Sequence, residues 1–406
     1  MGLAFTIIGD IFSPAERGKY QGVFSGAWGV ASILGPTLGG WLTDQISWRA
    51  TFYVNLPVGI IAMIALYRYF PYWHPEGVKR HIDWAGVFTL ILCIVPLLLA
   101  LTWVTDYGWT APRVELLLAF AAVMLGTFLY SETKAVEPLI PLSLFRDPVI
   151  SMCSIGIFVL GIGMFGVIIY LPLFMQGVLG VSATRSGNLL TPLLLGVVVG
   201  TFVSGQTTSR LRSYKLPSLA GSVIVTAGMI LFARMDGSTQ HSAVLLAMII
   251  AGFGMGLLIP VYTVAVQNVA PRKHMGAATA SSTFFRSIGS TVGVAIFGSL
   301  LLTHYHEDFA RTLPPDMPQQ ALSAFSNPLL LPQLRPQLEA TFNGYENGPH
   351  LLQTLYGNVR TALLRGIKLI FQTSAILMLC MIVLNVLLKD VPLRHGPAPS
   401  SEPPAH

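Results

Sequence analysis

From Tyr20 to Thr43 the chain carries no charged residue, and apolar stretches of comparable length recur from there almost to its end. A segment buried in lipid must satisfy its own backbone N–H and C=O groups, and a helix does so once it has roughly 20 apolar residues to cross the hydrocarbon. The stretches lie near 20–43, 50–68, 84–104, 113–131, 149–175, 186–208, 216–233, 243–264, 276–302 and 363–388. Met1 to Phe12 is apolar too, but as a helix it reaches only about 18 Å against a core of about 30 Å, so it reads as part of a span. Eleven crossings are expected, which makes this an all-α polytopic membrane protein. Its 53% hydrophobic and 10% charged residues, with a mean hydropathy of +0.65, exclude a soluble domain.

The net charge of +6 does not indicate a nucleic-acid partner, because no compact basic domain exists to hold one. It is distributed by loop. Arg17, Lys19, Arg68, Lys79, Arg80, Lys134, Arg146, Arg210, Arg212, Lys215, Arg272, Lys273, Lys389 and Arg394 fall on one side, against Arg49, Arg113, Arg185 and Arg234 in the short loops of the other. The positive-inside rule makes the first side cytoplasmic, the C-terminus included. Cys93, Cys153 and Cys380 all lie within expected spans, which gives neither a disulfide framework nor a zinc site.

Within the first stretch Gly22, Ser25, Gly29, Ser32, Pro36 and Gly39 alternate at steps of three and four, so one helix face holds only small residues and a proline. Such a face admits a second backbone, and Pro36 should kink it. The pattern serves either passive packing or a moving seam. The order of residues is more specific. Gly35-Pro36-Thr37-Leu38-Gly39-Gly40 resembles the fifth-helix antiporter motif of the major facilitator superfamily. Trp48-Arg49 with Phe52-Tyr53-Val54-Asn55-Leu56-Pro57-Val58-Gly59 resembles the start of helix six in its fourteen-helix drug:proton antiporter branch. The run from Tyr170 to Ser182, continuing to Gly187 and Thr191-Pro192, is similar to the segment that opens the C-terminal half of that branch.

The resemblance implies a division into 1–70, the remainder of an N-terminal bundle (helices four to six); 71–148, a two-helix insert with cytoplasmic flanks; 149–391, a C-terminal six-helix bundle with an outer loop at 303–362; and a disordered cytoplasmic tail at 392–406. It places Met1 inside helix four, and three further helices upstream would restore the fourteen and put both termini in the cytoplasm.

Few groups could carry chemistry. Arg286 stands alone in an apolar run and must face protein or water, or else snorkel to the headgroups. Asn55, Tyr170 and Gln176 either line a cavity or make ordinary helix–helix hydrogen bonds. Gly252, Gly254 and Gly256 read as packing residues. By the resemblance Asp10, Arg17, Gly205 and Arg210 are candidates for a cytoplasmic gate, with Ser209 where the repeated motif has an acid. His304, His306, Glu307 and Asp308 form either a solvated helix end or a metal site, of which the helix end is the expectation. No phosphate loop is present, no cofactor is called for, and no acid or histidine sits at the centre of a complete span.

What the resemblance implies is a transporter of the inner (plasma) membrane that exports amphipathic or aromatic toxic compounds against protons by alternating access, its partners being the small-molecule substrate, protons and the bilayer, with a periplasmic adaptor protein as a candidate. The alternatives are an exporter of one dedicated metabolite and a truncated, transport-inactive membrane protein. A membrane-embedded transferase lacks the acidic or histidine cluster its chemistry needs.

Overall fold

The computed structural model of the chain describes residues 41–43, 45–69, 83–180, 190–312, 338–340 and 348–393, with isolated positions between 7 and 39 and at 325 and 342. Among them there is no strand. Every described position from Tyr20 to Thr43 is helical. A short turn of helix at Ala50–Tyr53 leads into α1 (Asn55–Tyr69), which has no buried residue.

The helices α2 (Trp84–Tyr107) and α3 (Pro112–Lys134) form an antiparallel hairpin. Asp83 caps α2 by accepting from Gly86 N at 2.8 Å, Gly108 at φ +82° ends it, and Pro112 starts α3 where its missing N–H costs nothing. Ala100, Val104 and Val114 close the hairpin's own small core.

Six helices then share one core: α4 (Pro148–Leu173), α5 (Thr191–Leu211), α6 (Lys215–Ala233), α7 (His241–Val269), α8 (Met275–Arg311) and α9 (Gly348–Leu387). The first pairs with α8, the second and third with α7, and α9 lies between α6 and α8. Lipid tails are as apolar as leucine, so such helices associate through close dispersion contact rather than the hydrophobic effect, and glycine sets how close they come. A Cβ on Gly196 would stand 2.7 Å from the Ile249 carbonyl oxygen, and one on Gly256 2.9 Å from Thr201 N. Gly252 likewise abuts the Leu193 carbonyl, so α5 and α7 meet backbone to backbone from both sides. The glycines of α7 therefore serve packing, as expected. Gly161 and Gly289 do the same for α4 and α8, a Cβ on Gly161 standing 2.5 Å from the Arg286 carbonyl oxygen.

Eight helices among the described residues are long and apolar enough to cross a membrane. The expected span at 186–208 corresponds to α5, which is long enough but falls short in apolarity because Gly205 to Arg210 is a polar run. The expected loop at 303–362 is shorter than the sequence suggests: α8 continues to Arg311 and α9 begins at Gly348. Their 37 and 40 residues extend about 55 and 60 Å, far beyond a hydrocarbon core of about 30 Å. The protruding ends are amphipathic, with Tyr305 and Phe309 stacked at 5.5 Å and Phe309 on Phe325 at 5.8 Å. Apolarity marks where lipid ends, and a helix continues past that point wherever it has another surface to bury.

Candidate functional site

The six-helix unit has polar groups at one end and in its interior. At the end where α5 and α9 finish, Tyr214 organises residues 388–393 into a strap. Its hydroxyl donates to the Lys389 carbonyl at 2.6 Å and accepts from Val391 N at 2.9 Å, while Ser213 Oγ donates to Asp390 Oδ2 at 2.6 Å. Asn268 Nδ2, at the end of α7, donates to the Val391 carbonyl at 3.2 Å. Arg212 turns the chain with φ +54°, a left-handed conformation that few residues other than glycine adopt. Arg212, Lys215 and Lys389, assigned to one face by charge, are here brought to one end of the bundle.

In the interior, α8 crosses α4 at Arg286, which is half-buried. Its carbonyl accepts from Ser290 Oγ at 2.8 Å, and among the described residues no acid pairs with its guanidinium. Pro172 lies near the end of α4, and the turn that follows it is a π-helix at Phe174–Val178. Gln176 sits half-buried on that turn, next to Gly177, where a Cβ would stand 3.1 Å from Leu363 Cδ1 of α9. Around Arg286 the first half of α8 is rich in hydroxyls, each turned back on its own helix: Thr279 to Met275 O at 2.9 Å, Ser281 to Ala277 O at 2.7 Å, and Ser282 to Ala278 O at 3.2 Å.

The other sequence candidates are dispersed. Tyr170 is buried and donates to the Val294 carbonyl at 3.2 Å, a bond between α4 and α8 that occupies its hydroxyl. Asn55 is exposed on α1 and donates to Thr51 O at 3.3 Å. Gly205 is buried in α5, and Arg210 is exposed at its end. A Cβ on Gly39 would stand 3.2 Å from Thr51 Cγ2, and among the described residues one on Gly35 would meet nothing within 4 Å. Asp10, Arg17, Pro36 and Gly40 lie outside the described residues. In the expected helix-end cluster Asp308 pairs with Arg365 at 3.3 Å and the His304 ring meets the Leu300 carbonyl at 3.0 Å.

Several polar pairs escaped the sequence reading, among them Gln267 and Thr279, where Gln267 Nε2 donates to Thr279 Oγ1 at 3.1 Å between α7 and α8. Tyr262 and Asn385 bond at 3.0 Å in the interior, and Asp83 meets Glu132 at the end of the α2–α3 hairpin. An asparagine in the apolar run from Ile376 to Leu388, and an acid in the last turn of α3, were the available signals.

The family described as the Major Facilitator Superfamily matches residues 1–294. The multidrug transporter protein MdtP of Bacillus subtilis is 33% identical over 98% of this chain and 75% of its own length. Multidrug resistance protein 3 of the same organism is 36% identical over 73% of this chain and 58% of its own. Citrate exporter 1 of Yarrowia lipolytica is 28% identical over 86% and 53%. The chain thus spans between about half and three-quarters of the length of these relatives.

Proposed function

We propose that this chain, which belongs to the Major Facilitator Superfamily, acts in the fourteen-helix drug:proton branch as an exporter of amphipathic or aromatic compounds driven by proton influx. That it is a membrane transporter follows from the family and from eight helices able to cross a membrane. The observation that carries the finer reading is the 33% identity with a multidrug transporter along nearly the whole chain. In this reading the half-buried Arg286 and Gln176 face the substrate path, and the strap at Tyr214 lies on the cytoplasmic face of the plasma membrane. Gly39 is the contact about which helices reseat during alternating access.

A second reading, export of one anionic metabolite, is favoured by Arg286, which has no acidic partner among the described residues, and by the likeness to a citrate exporter. One experiment separates the two. Inverted membrane vesicles containing the protein are given a proton gradient, and uptake of a fluorescent cationic dye and of a labelled carboxylate is followed. The first reading expects gradient-dependent dye uptake that a protonophore abolishes. Carboxylate uptake alone, lost in Arg286→Gln, supports the second, and uptake of neither that differs from empty vesicles overturns both.

A further inference from the structure

Asp83 and Glu132 stand at the same end of the α2–α3 hairpin, the first as the N-cap of α2 and the second in the last turn of α3. Each commits one oxygen to the backbone. Asp83 Oδ1 accepts from Gly86 N at 2.8 Å, and Glu132 Oε2 accepts from Ile140 N at 3.1 Å, in the connection that leads to α4. The remaining oxygens, Asp83 Oδ2 and Glu132 Oε1, are buried and have no hydrogen-bond partner among the described residues, and Glu132 is only 4% exposed. Both are directed to one place: a Cβ on Gly86 would lie within 3.0 Å of each. Only glycine leaves that space open.

A buried carboxylate oxygen without a donor is costly, and two facing each other add like-charge repulsion. Among the described residues, none of the charged groups nearby on α3, on the connection or at the start of α4 relieves this; Lys79, Arg80 and His81, which precede Asp83 in sequence, lie outside them. Lys134 is drawn over the Tyr130 ring at 6.0 Å, Asp147 caps α4 through Val149 N at 2.8 Å, and neither these nor Glu137 nor Arg146 bonds either oxygen. A single proton resolves both problems, because it turns one oxygen into a donor and leaves the other as its acceptor.

We propose that Asp83 and Glu132 form a proton-binding site, in which one proton is shared between Asp83 Oδ2 and Glu132 Oε1 and locks the α2–α3 hairpin to the connection at Ile140. Loss of the proton sets two negative charges against each other, and the pair separates. Glu132 then withdraws from Ile140 N, which frees the segment that enters the six-helix unit. The site therefore converts protonation into the position of that connection, whichever substrate the transporter moves and whether or not protons drive it.

The test is infrared titration of the purified full chain in detergent, reading the C=O stretch of protonated carboxylic acid and its shift in D2O. A protonated carboxyl is expected to persist at neutral pH in the wild type and to be missing there in Glu132→Gln. In Asp83→Asn its titration midpoint should fall by ~1 pH unit or more, because the like charge is gone. The asparagine variant keeps the test open if Glu132→Gln fails to accumulate. Absence of the band from the wild type at neutral pH, or its persistence unchanged in both variants, overturns the proposal. So does a midpoint that falls saturably with added sodium, potassium or magnesium, which would make the occupant a metal cation.

Discussion

Tyr262 donates to Asn385 Oδ1 at 3.0 Å between α7 and α9, and both side chains are fully buried. Gly156 of α4 makes the room, since a Cβ there would stand 2.8 Å from Tyr262 Cζ. Three helices thus meet at one polar contact. Hydrogen bonds of this kind in membranes contribute roughly 0.6 to 1.7 kcal/mol, so Tyr262→Phe should lower stability by that amount. The double variant Tyr262→Phe with Asn385→Leu should cost less than the sum of the two single changes, because neither leaves the other unpaired. Thermal unfolding in detergent measures the cycle, and strict additivity would show that the contact is not coupled.

The α5–α7 approach gives a second expectation. Gly200→Ala sets a methyl group into the Phe253 backbone, which cannot yield as a flexible side chain would, and should cost about 1 to 3 kcal/mol. Gly126→Ala on α3 meets nothing within 4 Å among the described residues and should be neutral or stabilising by up to about 1 kcal/mol, through helix propensity. Equal melting temperatures for these two variants would contradict the packing described.

The strap at Tyr214 has a pH signature. Burial pushes its phenol up to about 12, with the bond from Val391 N opposing this in part. A tyrosine in an unfolded chain titrates near 10, so the neutral hydroxyl stabilises the strap fully below about pH 10, and that contribution is lost as the pH climbs towards 12. The phenolate absorbance of wild type minus Tyr214→Phe should therefore titrate near pH 12. A component at the ordinary value would mean that the strap is open.

Orientation is testable at the two ends of α6, whose 19 residues span about 28 Å, close to the hydrocarbon thickness. Gln240 is exposed just beyond the far end, and the tail carrying Ser400 follows the strap at the near end. With Cys380 replaced, Gln240→Cys should react with an impermeant thiol reagent in intact cells, and Ser400→Cys only after permeabilisation. The reverse pattern would invert the topology.

Hydrophobicity, charge bias and residue order sufficed to establish a polytopic helical transporter, because the bilayer imposes its requirement on each segment separately and a local stretch either meets it or does not. The placement of α2 to α4, α6, α7 and most of α8 was legible for that reason. Which groups meet was not legible. Tyr170 and Gln176 lie six positions apart and looked alike as cavity candidates, yet one is bound to Val294 of α8 and the other sits half-buried on a π turn. Asp83 and Glu132 are separated by two whole helices, so nothing local marks them as a pair. The extensions of α8 and α9 past the lipid depend on the aromatic surface each offers the other and Phe325, a non-local gain that hydropathy does not register. Spans are properties of segments, whereas sites are properties of contacts, and contacts exist only once the helices have chosen their neighbours.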